Sequence, residues 1–194
     1  MATREYSLEK GRSDYLTPES IYRPILRFIG VESFWIDVCC SDYNIPSFLY
    51  ITSRCFYHVD REGYVYPQFN ESGPVDGSTY DWHGHCWMNP PYDQLGKWIK
   101  KAYEESQNSA EVWCIFPNRT ETAYFHKYIL NNPNCFRVIL QKNKDLGFLH
   151  PETKEFMGQY KNPLCICYFG KNAKEYAKRW SVEQPIKGCV AIGV

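Results

Sequence analysis

Strands alternating with helices along the chain predict an α/β fold, a mixed sheet with helices on both faces. Two observations carry this. Short apolar runs of strand length recur at Phe34–Cys39, Glu111–Phe116 and Leu164–Phe169. Between them, Leu95, Trp98, Ile99, Ala102 and Tyr103 repeat at helical spacing and mark an amphipathic helix. The length of 194 residues and an apolar content of 44% suit one domain with a sizeable core.

The elements follow in order. Residues 1–13 are polar and are expected to be loosely attached. Thr17-Pro18-Glu19 reads as a helix start, with Thr17 as N-cap and Pro18 at the first helical position. That helix runs to about Phe28 and stops at Gly30. Phe34–Cys39 is a buried strand that ends in a polar turn, while Asn44 to Tyr50 fits no single element. Arg54–Val59 reads as a second strand. Residues 60–81 hold Gly63, Gly73, Pro74, Gly77 and several acids, and read as one long loop. Tyr64, Tyr66 and Phe69 in it are candidates for a mobile lid. Trp82–Met88 leads through a short strand into Asn89-Pro90-Pro91-Tyr92, followed by the helix from Gln94 to Glu105. A strand over Glu111–Phe116, a helix over Glu121–Leu130 and a strand over Phe136–Leu140 come next. Residues 141–162 read as loop, Leu164–Phe169 as strand, and Asn172–Trp180 as a terminal helix. The expected organisation is a polar segment over residues 1–13, the catalytic domain over 14–170, and a C-terminal helix and tail over 171–194.

Composition narrows the class. Charged content of 23% is that of a soluble globular protein, and no apolar run approaches the length of a membrane-spanning helix. No apolar signal core stands at the N-terminus, so a cytoplasmic location is expected, the host cytoplasm if the protein is viral. Nine cysteines include no Cys-x-x-Cys pair and no zinc-finger cluster, which suits reduced thiols. His83 and His85 flank Gly84 without a cysteine ligand in register, so no metal is expected. The net charge is zero, but its distribution is uneven: five acids against one base over 60–81, fourteen bases against eight acids over 97–179. The later half could face phosphate, or carry scattered solvated lysines.

Asn89-Pro90-Pro91-Tyr92 at a strand end suits the methylation of a planar, sp2-attached nitrogen. Such an amino group is held through its two hydrogens. The Asn89 side-chain oxygen is one acceptor and the Pro90 carbonyl the other. Pro90 and Pro91 have no N–H and restricted φ, which fixes that carbonyl's direction. Tyr92 offers a flat face for a flipped base, worth roughly 1–3 kcal/mol of stacking. Asp37-Val38-Cys39-Cys40-Ser41 ends the first strand with an acid and small residues, as an S-adenosylmethionine loop requires. Its carboxylate can pair with the cofactor's ammonium group, or serve as an ordinary turn aspartate. Asp60 is placed to accept ribose hydroxyls, with Glu62 equally well placed. Asp81 is a candidate for the cofactor's adenine amino group, or an exposed loop acid. In such sheets ligands sit beyond the carboxyl ends of strands, where strand order reverses. Asp37 and Asn89 both fall at such ends.

Blocks in a fixed order complete the pattern: Leu16-Thr17-Pro18-Glu19; Trp35–Ser41 with Asn44; Trp82 and Trp87–Tyr92 with Trp98; Phe116–Thr122 with Phe125-His126; and Pro163. From Tyr15 to Gly170 the chain resembles the phage-type, Dam-like DNA N6-adenine methyltransferases. The resemblance implies a Rossmann-like class I fold, S-adenosylmethionine as methyl donor, and adenine in duplex DNA as acceptor. It implies that Thr17, Pro18, Asp37, Cys39 and Ser41 hold the cofactor, that Asn89–Tyr92 form the catalytic motif, and that Arg119 and Thr122 stand at the active-site rim. The family's later Gly-Arg is replaced here by Gln141–Phe148, so the basic role falls to Lys142 and Lys144. The tetrapeptide alone also serves enzymes that methylate RNA adenine or a protein glutamine amide. A module that binds the cofactor without turnover is the remaining alternative.

Overall fold

The computed structural model describes residues 5–6, 15–40, 44–51, 56–59, 62, 65–68, 76–140 and 146–192. The chain folds as a mixed nine-stranded sheet with a smaller three-stranded sheet beside it. In chain order come β1 (Glu5–Tyr6), α1 (Glu19–Ile29), β2 (Phe34–Asp37), β3 (Ser47–Ile51), β4 (Phe56–Val59), β5 (Val65–Gln68), β6 (His85–Met88), α2 (Leu95–Gln107) and β7 (Glu111–Pro117). Then follow α3 (Ala123–Phe125), which continues as a π-helix over His126–Leu130, β8 (Cys135–Ile139), β9 (Gly147–Leu149), β10 (Phe156–Tyr160), β11 (Leu164–Phe169), α4 (Ala173–Glu183) and β12 (Val190–Ile192). Single turns of 3-10 helix lie at Gly77–Thr79 and Tyr92–Gln94.

The large sheet has the order β12-β8-β11-β7-β6-β2-β3-β4-β5. Its centre is parallel: β3 with β2, β2 with β6, and β6 with β7. Both flanks are antiparallel. The chain leaves β2 toward β5 on one side, then returns to β6 on the other. The reversal of strand order therefore falls between β2 and β6, where Asp37 pairs with Trp87. Asp37 and Asn89 consequently share one rim.

Two-sided burial explains the continuous apolar runs. On β6, β7, β8 and β11, Trp87, Trp113, Ile115, Phe136, Val138, Ile166 and Tyr168 join one core with α1 and α4. Their sequence neighbours Cys86, Met88, Val112, Cys114, Phe116, Cys135, Cys165, Cys167 and Phe169 join the opposite core with α2 and α3. Trp113 is the hub of the first core, within 5.0–6.1 Å of the rings of Tyr168, Phe136, Tyr176, Trp180 and Phe28. In the second, buried Glu105 on α2 accepts from the Trp82 backbone N–H at 2.8 Å and pairs with Lys101. That anchors the chain entering β6 to the helix that leaves it.

Several elements differ from the expectations. Thr17 does not cap α1; Pro18 does, and its carbonyl accepts from the amides of Ile21 and Tyr22. Gly30 closes the helix in the left-handed region, at φ 76°. The 60–81 stretch is not loop throughout. β5 lies within it and pairs with β4, and it tolerates Pro67 because it is an edge strand. The ambiguous 44–50 segment provides β3. The 141–162 stretch contains β9 and β10, which form the small sheet with β1. Gly147 permits it: a Cβ there would stand 1.9 Å from the Gly158 carbonyl oxygen. The turn at Arg119–Thr122 delays α3 to Ala123, the Thr122 hydroxyl donating to the Arg119 carbonyl at 2.7 Å. Tyr64 and Phe69 lie outside the described residues, as does the side chain of Tyr66. Among the described residues no helix is long and apolar enough to cross a membrane.

Gly77 packs its α-carbon against the end of β2. A Cβ there would meet the Val38 carbonyl oxygen at 2.1 Å, backbone that cannot yield cheaply. Gly77→Ala should therefore cost about 1–3 kcal/mol, as overpacking does. Gly96→Ala in α2 meets only the Tyr124 ring edge, at 3.2 Å, and gains helix propensity. Urea midpoints should fall clearly for Gly77→Ala and stay near parental for Gly96→Ala.

Candidate active site

A small polar cleft opens at the β2–β6 reversal. Tyr15, Thr17, Asp37, Cys39, Asn44, Ile45, Trp87 and Asn89 line it. Thr17, Asp37, Cys39 and Asn89 were expected from the sequence. They arrive from three separate segments: the approach to α1, the end of β2 and the end of β6.

Each wall has a physical basis. Asp37 is 4% exposed, and its Oδ1 accepts from the Cys39 backbone N–H at 3.2 Å. Burial pushes its carboxyl up to about 7, against the smaller opposing pull of that hydrogen bond. The Cys39 thiol is pushed well up as well, first by burial, then by the Asp37 and Asp76 charges. Thr17 is 1% exposed, and among the described residues its Oγ1 has no hydrogen-bond partner. The Asn44 side-chain N–H donates to the Thr17 carbonyl at 2.8 Å and holds that backbone in place. A buried hydroxyl without a partner is costly, and one that faces a polar cleft is suited to a polar ligand.

The Asn89 amide is held at both ends. Its Nδ2 donates to the Tyr15 carbonyl at 2.9 Å. Its Oδ1 accepts from the Tyr92 hydroxyl at 3.3 Å. A carbonyl accepts only, so nitrogen must face Tyr15 and oxygen must face Tyr92. The Tyr92 ring rests 6.3 Å from both Phe148 on β9 and Tyr160 on β10. Pro90 is buried and Pro91 half-buried, leading into the 3-10 turn that begins at Tyr92.

The other expected residues are distributed differently. Pro18 carries the helix start and does not line the cleft. Asp81 is exposed and is not among the lining residues. Asp76, bound to Lys97 at 2.7 Å, adds its charge to that of Asp37 on Cys39. Arg119 is exposed and pairs with Glu121 at 2.6 Å, and its charge also acts on Tyr160. Thr122 is tied to the Arg119 carbonyl. Ser41, Asp60, Lys142 and Lys144 lie outside the described residues. Tyr15, Asn44 and Trp87 are cleft residues that no role was assigned to from the sequence; the family-like blocks around them were the available signal. Among the described residues no group of three potential metal ligands occurs, and His85 instead stands 3.4 Å from Glu111.

The Asp37 environment predicts a stability trend. The folded carboxyl titrates near 7, above its ordinary 3.8, so between those values the folded chain keeps a proton the unfolded chain has lost. Stability then falls as pH rises through that window and stays low above it. Asp37→Asn keeps the acceptor for Cys39 and removes the charge. Without ligand, it should melt above the parent at pH 8, by an upper bound of about 4 kcal/mol, with a smaller gap at pH 5. Paired thermal melts at the two values check this.

Residues 73–184, a span that includes the Asn89–Tyr92 motif and the Arg119–Thr122 turn, match the family model described as DNA N-6-adenine-methyltransferase (Dam). The chain is also 22% identical over 175 residues to the "DNA N-6-adenine-methyltransferase" of Haemophilus phage HP1 (strain HP1c1), covering 89% of this chain and 87% of that protein. No solved structure matches. With more than half of its length inside the family model, and with the motif at the rim of the cleft, the chain belongs to the DNA N-6-adenine-methyltransferase (Dam) family.

Proposed function

We propose that the chain transfers a methyl group from S-adenosylmethionine to the exocyclic amine of an adenine extruded from duplex DNA. The observation that carries the reading is the convergence of Thr17, Asp37 and Asn89 on one cleft at the sheet's reversal point. The same convergence supports the finer fold assignment, a Rossmann-like class I methyltransferase domain. A cytoplasmic location, in the host if the protein is viral, completes the reading.

The donor set fits the cofactor's amino-acid end. A buried carboxylate at Asp37 suits an ammonium group, and the unpartnered Thr17 hydroxyl suits a carboxylate. Cys39 provides a small side chain where backbone must approach a ligand. When bound, S-adenosylmethionine supplies an electrophilic methyl group on a sulfonium. Asp60, Asp81 and Ser41 are retained as candidates for its ribose, adenine and loop contacts.

On the acceptor side, Asn89 Oδ1 takes one hydrogen of the adenine amine, and the Pro90 carbonyl takes the other. Both draw the nitrogen lone pair out of conjugation and aim it. Tyr92 stacks on the extruded base, whose removal from the duplex costs a few kcal/mol. No strong base is required, because the amine becomes acidic once it carries the methyl group. Arg119 and Thr122, with Lys142 and Lys144, are assigned to the DNA side of the rim.

Three measurements test this. Nucleoside analysis of treated duplex DNA should show N6-methyladenine; methylated cytosine, or product confined to RNA or to protein, would sink the assignment. Calorimetry should show that Asp37→Ala loses most affinity for S-adenosylhomocysteine, and that parental affinity rises with pH to a plateau above about 7, where the carboxyl is ionised. In single turnovers, Asn89→Ala should slow methyl transfer about 10²–10³-fold with little change in cofactor affinity. Tyr92→Phe should keep most activity, while Tyr92→Ala should lose capture of the base.

A further inference from the structure

We propose that the main-chain carbonyl of Tyr15, held by the small sheet, is the positioning group that orients the Asn89 amide and makes asparagine, not aspartate, the competent residue at position 89. The inference rests on the reading of the site given above and adds a positioning residue to it.

Three contacts build the device. Asn89 Nδ2 donates to the Tyr15 carbonyl at 2.9 Å. Leu16, the next residue, exchanges both backbone hydrogen bonds with Leu149 of β9, at 3.1 and 2.8 Å. Tyr15 is itself 4% exposed within the first core. The Tyr15 carbonyl shares a peptide plane with the Leu16 N–H, so it cannot turn away without breaking the Leu16–Leu149 bridge. The same sheet contributes Phe148 and Tyr160 against Tyr92, whose hydroxyl marks the other end of the amide.

The consequence is chemical. An amide presents a donor to Tyr15 and an acceptor to the substrate side. An ionised carboxylate presents only acceptors, so one of its oxygens would oppose the Tyr15 carbonyl at hydrogen-bond distance. It would have to swing from its aim or take up a proton. A protonated carboxyl can again donate to Tyr15 and accept on the other side. The Asn89→Asp variant should therefore work poorly when ionised and recover when protonated.

Other titratable groups near this position are Asp37 and Cys39 in the cleft, Tyr15 and Tyr92 in contact with Asn89, and Tyr160 behind Tyr92. Asp37 titrates in the parent as well, so the variant is read as a ratio to the parent at each pH, with saturating cofactor. At pH 8, Asn89→Asp should lower single-turnover methylation by about 10²-fold or more. The ratio should recover by at least about tenfold at pH 5.5, because an acceptor facing the carboxyl disfavours its ionised form and raises its pKa. Asn89→Ala, which can donate in neither form, should show a ratio that does not move with pH. A second readout is independent of catalysis: the melting temperature of Asn89→Asp relative to the parent should drop between pH 5.5 and pH 8. A pH-independent turnover ratio for Asn89→Asp overturns the proposal, whatever the melting curves show. A parent inactive on DNA adenine, with the pH-dependent melting difference intact, would instead overturn the functional reading and leave the Tyr15 contact standing.

Discussion

The parallel pairing of β2 with β6, Ile36 beside Cys86 and Asp37 beside Trp87, is the constraint on which the site depends. It joins two segments far apart in sequence at the point where strand order reverses. Everything chemical is then hung from that junction. Gly77 packs on the Val38 carbonyl just beyond β2, and Glu105 fixes the chain that enters β6. The pairing is stabilised remotely, by apolar cores on both faces. Trp113 anchors one and Phe116, Phe125 and Trp98 belong to the other.

Those cores offset local costs at the rim. Asp37 is a buried carboxyl pushed up to about 7, and Thr17 buries a hydroxyl without a partner among the described residues. Neither favours folding. Both make sense as groups kept ready for a charged, polar ligand. Asn89 is the opposite case. Its amide is satisfied at both ends before any substrate arrives, and the phenol of Tyr92 occupies the acceptor that an adenine amine would use. An amide oxygen has two lone pairs, so the incoming amine can share it or displace the phenol. In the proposed reaction Tyr92 links base capture to the state of the amide; in the structure the small sheet stands behind it through Phe148 and Tyr160.

Much of the fold was legible because its elements obey simple periods. The run Leu164–Phe169 is six apolar residues, and the strand has those bounds. The spacing of Leu95, Trp98, Ile99 and Ala102 matches the buried face of α2. The misses have physical causes. β9 and β10 are short and lie in a polar stretch, so their composition resembles loop. β5 contains a proline, which an edge strand tolerates and a central strand does not. Thr17 has the residue type of a cap, yet its backbone is held by Asn44 and its side chain is buried at the cleft. At the site, Asn89, Tyr92, Asp37 and Cys39 were identifiable as motif residues at strand ends. Asn44 and Tyr15 act through a side-chain amide on a backbone carbonyl and through a backbone carbonyl itself, and such contacts leave little trace in residue type.

By itself the sequence determined the alternation of strands and helices, the Asn89–Tyr92 tetrapeptide and its order relative to the acid at Asp37, because periodicity and motif are properties of neighbours along the chain. Only the tertiary structure decided which strands are adjacent, that the Asp76 charge joins that of Asp37 at Cys39, that the Asp37 carboxyl is pushed up toward neutrality, and that the Asn89 amide is held by the Tyr15 carbonyl. Those are consequences of distance and burial, which depend on segments remote in sequence meeting at one rim.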